Sequence, residues 1–245
     1  MAVSIDTVYQ RVLAIANKEQ RGYITPQEFN LFAKQAQKEI LEQYFYDINQ
    51  WNRQHGNTTE HSDMLSEINE KLAIFKVTMS SAIIASLFDS VNQNLILPPQ
   101  LYKIGTVSHI KLEVNDVPSR VTFQEINYDE YQLLGSSPLT KPTLKRPYFI
   151  NQNGALKLFT GDTLASNEVG LSFIRKPVAP NWAYVVVHGK TLYNDHISID
   201  FELHASEESE LVYRILAYAG ISIGKPEITQ VASQALASQI QQEKQ

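Results

Sequence analysis

The sequence contains no cysteine. Disulfide bonds, thiolate chemistry and cysteine-ligated zinc are therefore excluded together. No apolar run reaches the roughly 18 residues that a membrane-spanning helix needs, so we expect no membrane partner. The first residues lack a basic segment followed by a small-residue cleavage site. A secretory signal is therefore not expected, and the composition fits synthesis in a reducing cytoplasm.

Clusters of basic residues are also missing. No run of lysine and arginine is longer than two, and the formal net charge is −5. A protein that grips nucleic acid needs a basic face to neutralise phosphates. The net charge therefore argues against a DNA-binding protein. It is compatible with a channel through which DNA passes without being bound.

The rest of the composition is typical of a folded globular protein. The 245 residues are 43% hydrophobic and 19% charged, enough for one large or two small domains. Local patterns predict three parts: helices in 1–94, an antiparallel β-region with long loops in 95–205, and C-terminal helices in 206–245. The predicted fold class is α+β, with N-terminal helices, a central antiparallel β-sheet or small barrel, and a C-terminal helical extension.

Helical signals dominate the N-terminal part. Apolar residues recur at helical spacing from Ile5 and predict a helix that ends near Asn17. Thr25, Pro26 and Glu28 form a capping box with proline at the first helical position. They predict a long second helix that continues to about residue 46. A loop is expected over 50–62 and a helix over 62–75, and 76–90 fits either helix or strand.

Short segments of alternating polar and apolar residues fill the central part. Asn153 and Gly154 form a typical hairpin turn between two of them. Several short strands without long helices between them predict antiparallel pairing. The strand candidates are 106–114, 121–126, 148–150, 156–159, 169–174, 183–187 and 196–203.

The C-terminal part carries signals for two helices. Ser206 can cap the first, Gly220 is a natural stop, and Pro226 can open the second. The second has only a narrow apolar stripe, and such a helix is marginal alone in water. We therefore expect it to dock onto a neighbouring protein. The stripe comprises Ile228, Val231, Ala232, Ala235, Leu236 and Gln239.

Two motifs resemble catalytic or nucleotide-binding sequences but lack the required context. Residues 220–224, GISIG, match a nucleophile elbow around Ser222, yet a helix precedes them and no histidine follows His204. Lys190 and its neighbours match the end of a phosphate loop, but Tyr184 stands where that loop needs a glycine. The segment around Lys190 is therefore predicted to be a turn after a strand. We predict a protein that is not an enzyme and has no cofactor and no metal site.

One segment resembles a known group of proteins. Residues 173–182, FIRKPVAPNW, resemble the I-R-K-P-x-x-P-x-W segment of virion structural proteins from Bacteroidetes-infecting and marine tailed phages, including crAss-like phages. Further similar segments occur in the same order along most of the chain. They are ITPQEFN from residue 24, LPPQL at 97–101, YDEY at 128–131, SSPLTKP at 136–142 and the helical segment 211–223.

The resemblance implies a head-to-tail connector, an adaptor ring in the phage neck. Such rings commonly hold about twelve copies around a channel. The implied partners are further copies of the chain, the portal protein, and other neck or tail proteins. DNA would pass through the ring without specific binding. The implied location is the virion, after synthesis in the host cytoplasm.

Two extended, proline-punctuated segments are candidates for contacts between subunits. A closed ring joins one surface of each copy to a different surface of the next. The two segments are residues 136–147 and 175–182. Because they are extended, they cannot form a core of their own, and they could instead pack against the surface of a neighbouring subunit. The alternative is that they are surface loops, with Trp182 buried in its own domain. The predicted interface residues are Leu139, Tyr148, Arg175, Lys176, Trp182, Ile228, Val231, Ala235 and Leu236.

Three other functions remain open from the sequence. The chain could be another virion component, such as a stopper, tail-tube or baseplate subunit. A virion hydrolase would need a buried acid pair, for example Glu125 close to Asp195. A carbohydrate-binding β-module would need an exposed groove lined by Trp182 and Tyr184.

Overall fold

The computed structural model describes residues 3–16, 24–53, 59–112, 118–223 and 226–243. These residues adopt an α+β fold, which confirms the predicted class. The helices are α1 (Ile5–Ala16), α2 (Pro26–Arg53), α3 (Thr59–Ala73), α4 (Ser81–Leu87), α5 (Tyr128–Gly135), α6 (Glu208–Ile223) and α7 (Pro226–Glu243). The strands are β1 (Lys76–Thr78), β2 (Phe88–Asp89), β3 (Asn94–Ile96), β4 (Leu101–Leu112), β5 (Pro118–Thr122), β6 (Gln124–Glu125), β7 (Tyr148–Gln152), β8 (Ala155–Phe159), β9 (Val169–Arg175), β10 (Tyr184–Val187) and β11 (Lys190–Tyr193).

The chain forms two compact units that do not follow its order. Unit 1 combines Met1–Ile74 with Pro177–Gln245, and unit 2 is Phe75–Lys176. These boundaries differ from the ones predicted near residues 94 and 205. Local periodicity identifies elements but carries no information on which distant elements share a core. The C-terminal helix α6, predicted as part of an extension, is a central helix of unit 1, with Leu211 and Ile215 fully buried.

Helix α2 is the longest element of unit 1 and packs against α3 and α6. The predicted capping box starts it: the Glu28 amide donates to Thr25 Oγ1 over 3.3 Å, and the Thr25 amide donates to the Glu28 carboxylate over 3.0 Å. The helix ends at Arg53 rather than near Tyr46. Part of the predicted loop over 50–62 is therefore helical.

Helix α6 passes through Gly220 instead of ending there. The predicted stop is wrong because α6 packs along α7, and this contact outweighs the weak helix preference of glycine. Ala219 is buried at this end of α6, and Ala232 is buried on α7. Small side chains at these positions allow the two helices to approach closely.

Unit 2 contains two sheets around one apolar core. The four-stranded sheet has the order β1-β9-β4-β5 and is antiparallel. The five-stranded sheet has the order β2-β3-β8-β7-β6, and its β6–β7 pair is parallel, which departs from the purely antiparallel expectation. Val107 and Leu171 from the first sheet share a buried cluster with Leu95 and Leu156 from the second. Two sheets that share a core replace the predicted single sheet or barrel.

Two hairpins have the turns that the sequence predicts. Asn153 and Gly154 adopt φ values of 53° and 73° between β7 and β8. His188 and Gly189 adopt 51° and 77° between β10 and β11, which belong to unit 1. Positive φ at both central residues matches the twist of an antiparallel pair. The turn prediction for the segment around Lys190 is thereby confirmed.

The strand predicted over 196–203 is wrong. In this part of unit 1, residues 195–197 form a turn, and the residues after them pair only through isolated bridges from Ile199 to Asn181 and from Phe201 to Val3. The intervening Asp200 carboxylate accepts a hydrogen bond from the Ile5 amide over 2.9 Å instead. The alternating apolar residues do not share one buried side, because Ile197 and Ile199 are exposed whereas Phe201 and Leu203 are fully buried.

Candidate assembly surfaces

Trp182 lies in the core of unit 1 and is 3% exposed. Its ring packs 4.3 Å from Tyr9, measured between ring centroids, and its Nε1 donates to Asp6 over 2.9 Å. Its amide donates to the Asn30 side chain over 2.8 Å. The alternative reading, in which Trp182 is tucked into its own domain, is therefore confirmed. Trp182 has no surface left for a neighbouring subunit or a sugar ring.

The segment 173–182 connects the two units. Arg175 ends β9 in unit 2, and its guanidinium lies 5.8 Å from the centre of the Phe75 ring. The exposed Lys176 donates its amide to the Gln100 carbonyl over 2.7 Å. Val178 already belongs to unit 1, where its carbonyl accepts from the Gln37 side chain over 2.8 Å. The segment 173–182 therefore makes structural contacts within the chain itself, and the side chain of Lys176 is exposed.

The other loop candidates separate into one buried and one exposed residue. Tyr148 is packed with Ile126 and Ile150 in unit 2. Leu139 is 79% exposed, and Arg146 fixes its carbonyl through a 2.6 Å hydrogen bond. An ordered turn of unit 2 thus presents Leu139 to solvent, whereas Tyr148 is unavailable to a neighbour.

Helix α7 packs against α6 of its own unit. Ala235 and Leu236 are half-buried there, and Val231 is exposed. The side chain of Ile228 lies outside the described residues. Docking of this helix onto another protein stays a prediction. Among the stripe residues whose side chains the structure describes, Val231 is the most exposed.

The β10–β11 hairpin carries a concentration of exposed apolar side chains. Val186 is 61% exposed and Leu192 is 53% exposed. Their neighbours Val185 and Val187 are also exposed, so apolar residues occupy both faces of the hairpin. Contiguous exposed apolar surface of this kind marks interaction sites. The sequence alone does not reveal this surface, because three consecutive valines are equally typical of a strand buried on both faces.

The base of the hairpin is firmly attached to unit 1. Tyr184 and Tyr193, at its two open ends, stack on Trp182 with centroid distances of 5.8 and 5.6 Å. The Asn194 amide donates to the Ala183 carbonyl over 2.9 Å. A two-stranded hairpin has marginal stability by itself, and these aromatic contacts stabilise it. The hairpin is therefore a preorganised projection.

A second surface of unit 1 is a groove formed by α2, α6 and α7. Its volume is about 460 Å³ and it opens to solvent. Tyr46 is 63% exposed at this groove. We call it the α2 groove; its lining residues are Glu39, Glu42, Gln43, Tyr46, Arg214 and Ile240.

Charged side chains in the α2 groove bind one another. Arg214 donates to Glu210 over 2.7 Å and to Glu39 over 3.2 Å, and Tyr218 also donates to Glu39. Burial raises the pKa of Glu39, but hydrogen bonds from Tyr218, Gln35 and Arg214 outweigh it and leave the pKa below its usual value. Burial, together with the hydrogen bond to Glu39, raises the pKa of Tyr218 to about 12.

A buried ion pair lies between α3 and the segment that precedes α6. Lys71 Nζ lies 2.9 Å from Glu207, which is 1% exposed, and 3.4 Å from Glu67. The adjacent cavity is about 70 Å³. Small-molecule pockets usually have about 300–1,000 Å³, so this cavity does not accommodate a substrate. The ion pair therefore links α3 to the segment that precedes α6.

A third groove lies on unit 2, along one face of the four-stranded sheet. Its volume is about 390 Å³, and hydroxyl groups of Thr106, Ser108, Thr122 and Ser172 line it together with Arg120. Its lining contains no aromatic side chain on which a sugar ring could stack. The aromatic groove that a carbohydrate-binding module needs is therefore not found here.

The histidine and acidic side chains are scattered over the described residues. In the described part of the chain, no three His, Asp or Glu side chains form a group that could hold a metal ion. Glu125 belongs to unit 2 and Asp195 to unit 1. Within the residue ranges given for the fold, no helix has both the length and the apolar content to cross a bilayer.

A scan against protein-family models matches no family, and a search of curated proteins finds no match.

Proposed function

We propose that this chain is a structural subunit that forms a ring in the neck of a tailed phage, joins the portal to the tail and surrounds the DNA channel. The observation that carries the proposal is the β10–β11 hairpin, which holds Val185, Val186, Val187 and Leu192 in solvent on a rigid base. An apolar projection of this kind is stabilised when another protein surface covers it.

The charge distribution supports the same role. The formal net charge is −5, and no basic run is longer than two residues. A net negative charge disfavours tight binding of the phosphate backbone, which is compatible with DNA moving through a channel without being held. The partners in this proposal are about twelve copies in the ring, the portal protein, and further neck or tail proteins.

Negative-stain electron microscopy of the purified protein, alone and mixed with its portal, tests the proposal. We expect rings that cap one end of the portal. Particles that stay monomeric and leave the portal bare would refute it. Rings that bind a tail protein and not the portal would instead assign the chain to a stopper, tail-tube or baseplate position.

A matched pair of variants separates assembly from folding. Val186→Asp places a charge on the hairpin, and Leu31→Asp places the same charge on α2, where the side chain is also exposed. We expect Val186→Asp to abolish ring formation while the monomer stays folded. Leu31→Asp is expected to assemble normally. Equal behaviour of the two variants would contradict a role for the hairpin.

A further inference from the structure

Two surfaces of unit 1 lie on opposite sides of α2. On one side, Asn30 binds Trp182 and Gln37 binds Val178, so the segment that carries the hairpin runs along this side. Glu39 and Tyr46 line the α2 groove. With 100° per residue, Glu39 points about 180° away from Asn30, and Tyr46 about 180° away from Gln37.

The α2 groove of the same chain extends beyond the reach of the hairpin. Asn30, which holds the base of the hairpin, is about 13.5 Å from Glu39 and about 24 Å from Tyr46 along the helix axis, at 1.5 Å per residue. A strand of four residues such as β10 spans only about 13 Å. Because the groove faces away from the side of α2 that holds the hairpin, and Tyr46 lies beyond its span, the hairpin that occupies this groove comes from a second copy.

The two surfaces are chemically complementary. The hairpin offers valine and leucine side chains, and it contains Lys190 but no acidic residue. The groove offers the aromatic surface of Tyr46 and the aliphatic Ile240 beside the half-exposed carboxylate of Glu42, which lies 3.5 Å from Lys38 Nζ in a weak surface ion pair. Apolar contacts would supply most of the stabilisation, and the Lys190–Glu42 attraction would orient the partners.

We infer that the β10–β11 hairpin of each copy docks into the α2 groove of the next copy. This contact joins one surface to a different surface, which is the geometry that closes a ring. The inference rests on the proposed ring function and names the contact that builds the ring.

The absence of cysteine makes a direct test possible. Val186→Cys and Tyr46→Cys variants are mixed and oxidised mildly, and disulfide-linked dimers are separated on a non-reducing gel. We expect a disulfide-linked dimer in the mixture, because Val186→Cys in the hairpin of one copy meets Tyr46→Cys in the groove of another. Neither variant alone should form a dimer, because two hairpins do not meet and two grooves do not meet. The double variant is expected to give a ladder of linked oligomers.

Leu31→Cys mixed with Val186→Cys is the matched control. Leu31 is exposed on α2 but lies about 22 Å from Tyr46 along the axis, beyond the reach of a disulfide. Rings in the microscope without a Val186–Tyr46 crosslink would overturn the inference and leave the ring function standing. Neither rings nor crosslinks would overturn both.

A charge exchange provides an independent readout. Glu42→Lys is expected to weaken self-association about tenfold, and adding Lys190→Glu in the same chain is expected to restore it. Analytical ultracentrifugation at low salt measures both. If Lys190→Glu weakens the Glu42→Lys variant further, the two side chains do not meet and the assigned contact is wrong.

Discussion

In unit 2 the two sheets share a cluster of apolar side chains, whereas unit 1 buries Lys71, Glu207 and Glu210 among its helices. The buried polar residues of unit 2, among those described, are the neutral Thr160 and the histidine His109. Unit 2 therefore depends mainly on apolar burial, which is insensitive to the state of any single charge. Unit 1 depends in addition on ion pairs that must be complete, because an unpaired buried charge is strongly destabilising.

The units also differ in net charge. Phe75–Lys176 contains 10 Lys and Arg and 8 Asp and Glu, whereas the remaining residues contain 11 and 18. The negative charge of the protein is thus concentrated in unit 1, which also carries the hairpin and the α2 groove. The unit with buried ion pairs is therefore the one to which we assign assembly, and the following tests probe this difference.

The largest effect is expected from Lys71→Met. The change leaves Glu207 buried without its cation, which should lower the free energy of unfolding by about 3–5 kcal/mol. Urea unfolding followed by tryptophan fluorescence measures it, since Trp51 and Trp182 both belong to unit 1. The double variant Lys71→Met/Glu207→Met removes both charges and should recover most of the loss. A loss below about 1 kcal/mol in the single variant would contradict a buried pair.

Leu156→Ala tests the apolar core of unit 2. Leu156 is fully buried between the sheets, so its truncation should lower the free energy of unfolding by about 2–5 kcal/mol. Circular dichroism during urea unfolding measures the change. Leu133→Ala, an exposed leucine in the same unit, should shift stability by no more than about 0.5 kcal/mol. Similar losses in both variants would show that the core is misassigned.

Thr25→Ala probes the start of α2. The change removes the side chain that accepts from the Glu28 amide and should lower the free energy of unfolding by about 1 kcal/mol. Thr25→Ser keeps the hydroxyl and should retain most of the stability. Thermal unfolding followed by tryptophan fluorescence compares the two. If alanine and serine behave alike, the cap contributes nothing to unit 1.

The smallest effect is expected at high pH. The pKa of Tyr218 is raised to about 12 in the folded protein, against an ordinary value of 10.0, so folding favours its neutral form. Its contribution is complete below pH 10 and is lost as the pH rises through about 12. Tyr218→Phe should therefore show a shallower alkaline loss of stability than the parent. Identical pH dependence of urea midpoints between pH 9 and 12 would contradict the Tyr218–Glu39 bond.

Local sequence signals predicted those structural elements that contacts between residues close in sequence are sufficient to form. The Thr25–Glu28 box and the Asn153-Gly154 turn were correct because their hydrogen bonds and dihedral angles involve only neighbouring residues. Helix α5 was missed, although Glu130 accepts from the Asn127 amide over 3.0 Å in the same kind of box. The local N-x-x-E pattern of Asn127 and Glu130 is the signal that could have revealed this helix.

Placement on the surface could not be predicted in the same way. Tyr148, Leu139 and Trp182 all lie in or beside proline-containing segments, yet two are buried and one is exposed. The cover of Trp182 comes from Tyr9 and Asp6, which are far away in sequence. No local pattern records such partners.

Composition and short-range chemistry determined the α+β class, the absence of thiol chemistry, the start of α2 and the hairpin turns. The tertiary structure decided which distant segments form unit 1, which residues face solvent and which charges are buried together. The physical reason is range. Dihedral preferences and caps act over a few residues, whereas burial and ion pairing join residues such as Lys71 and Glu207 that only the completed fold brings within 2.9 Å.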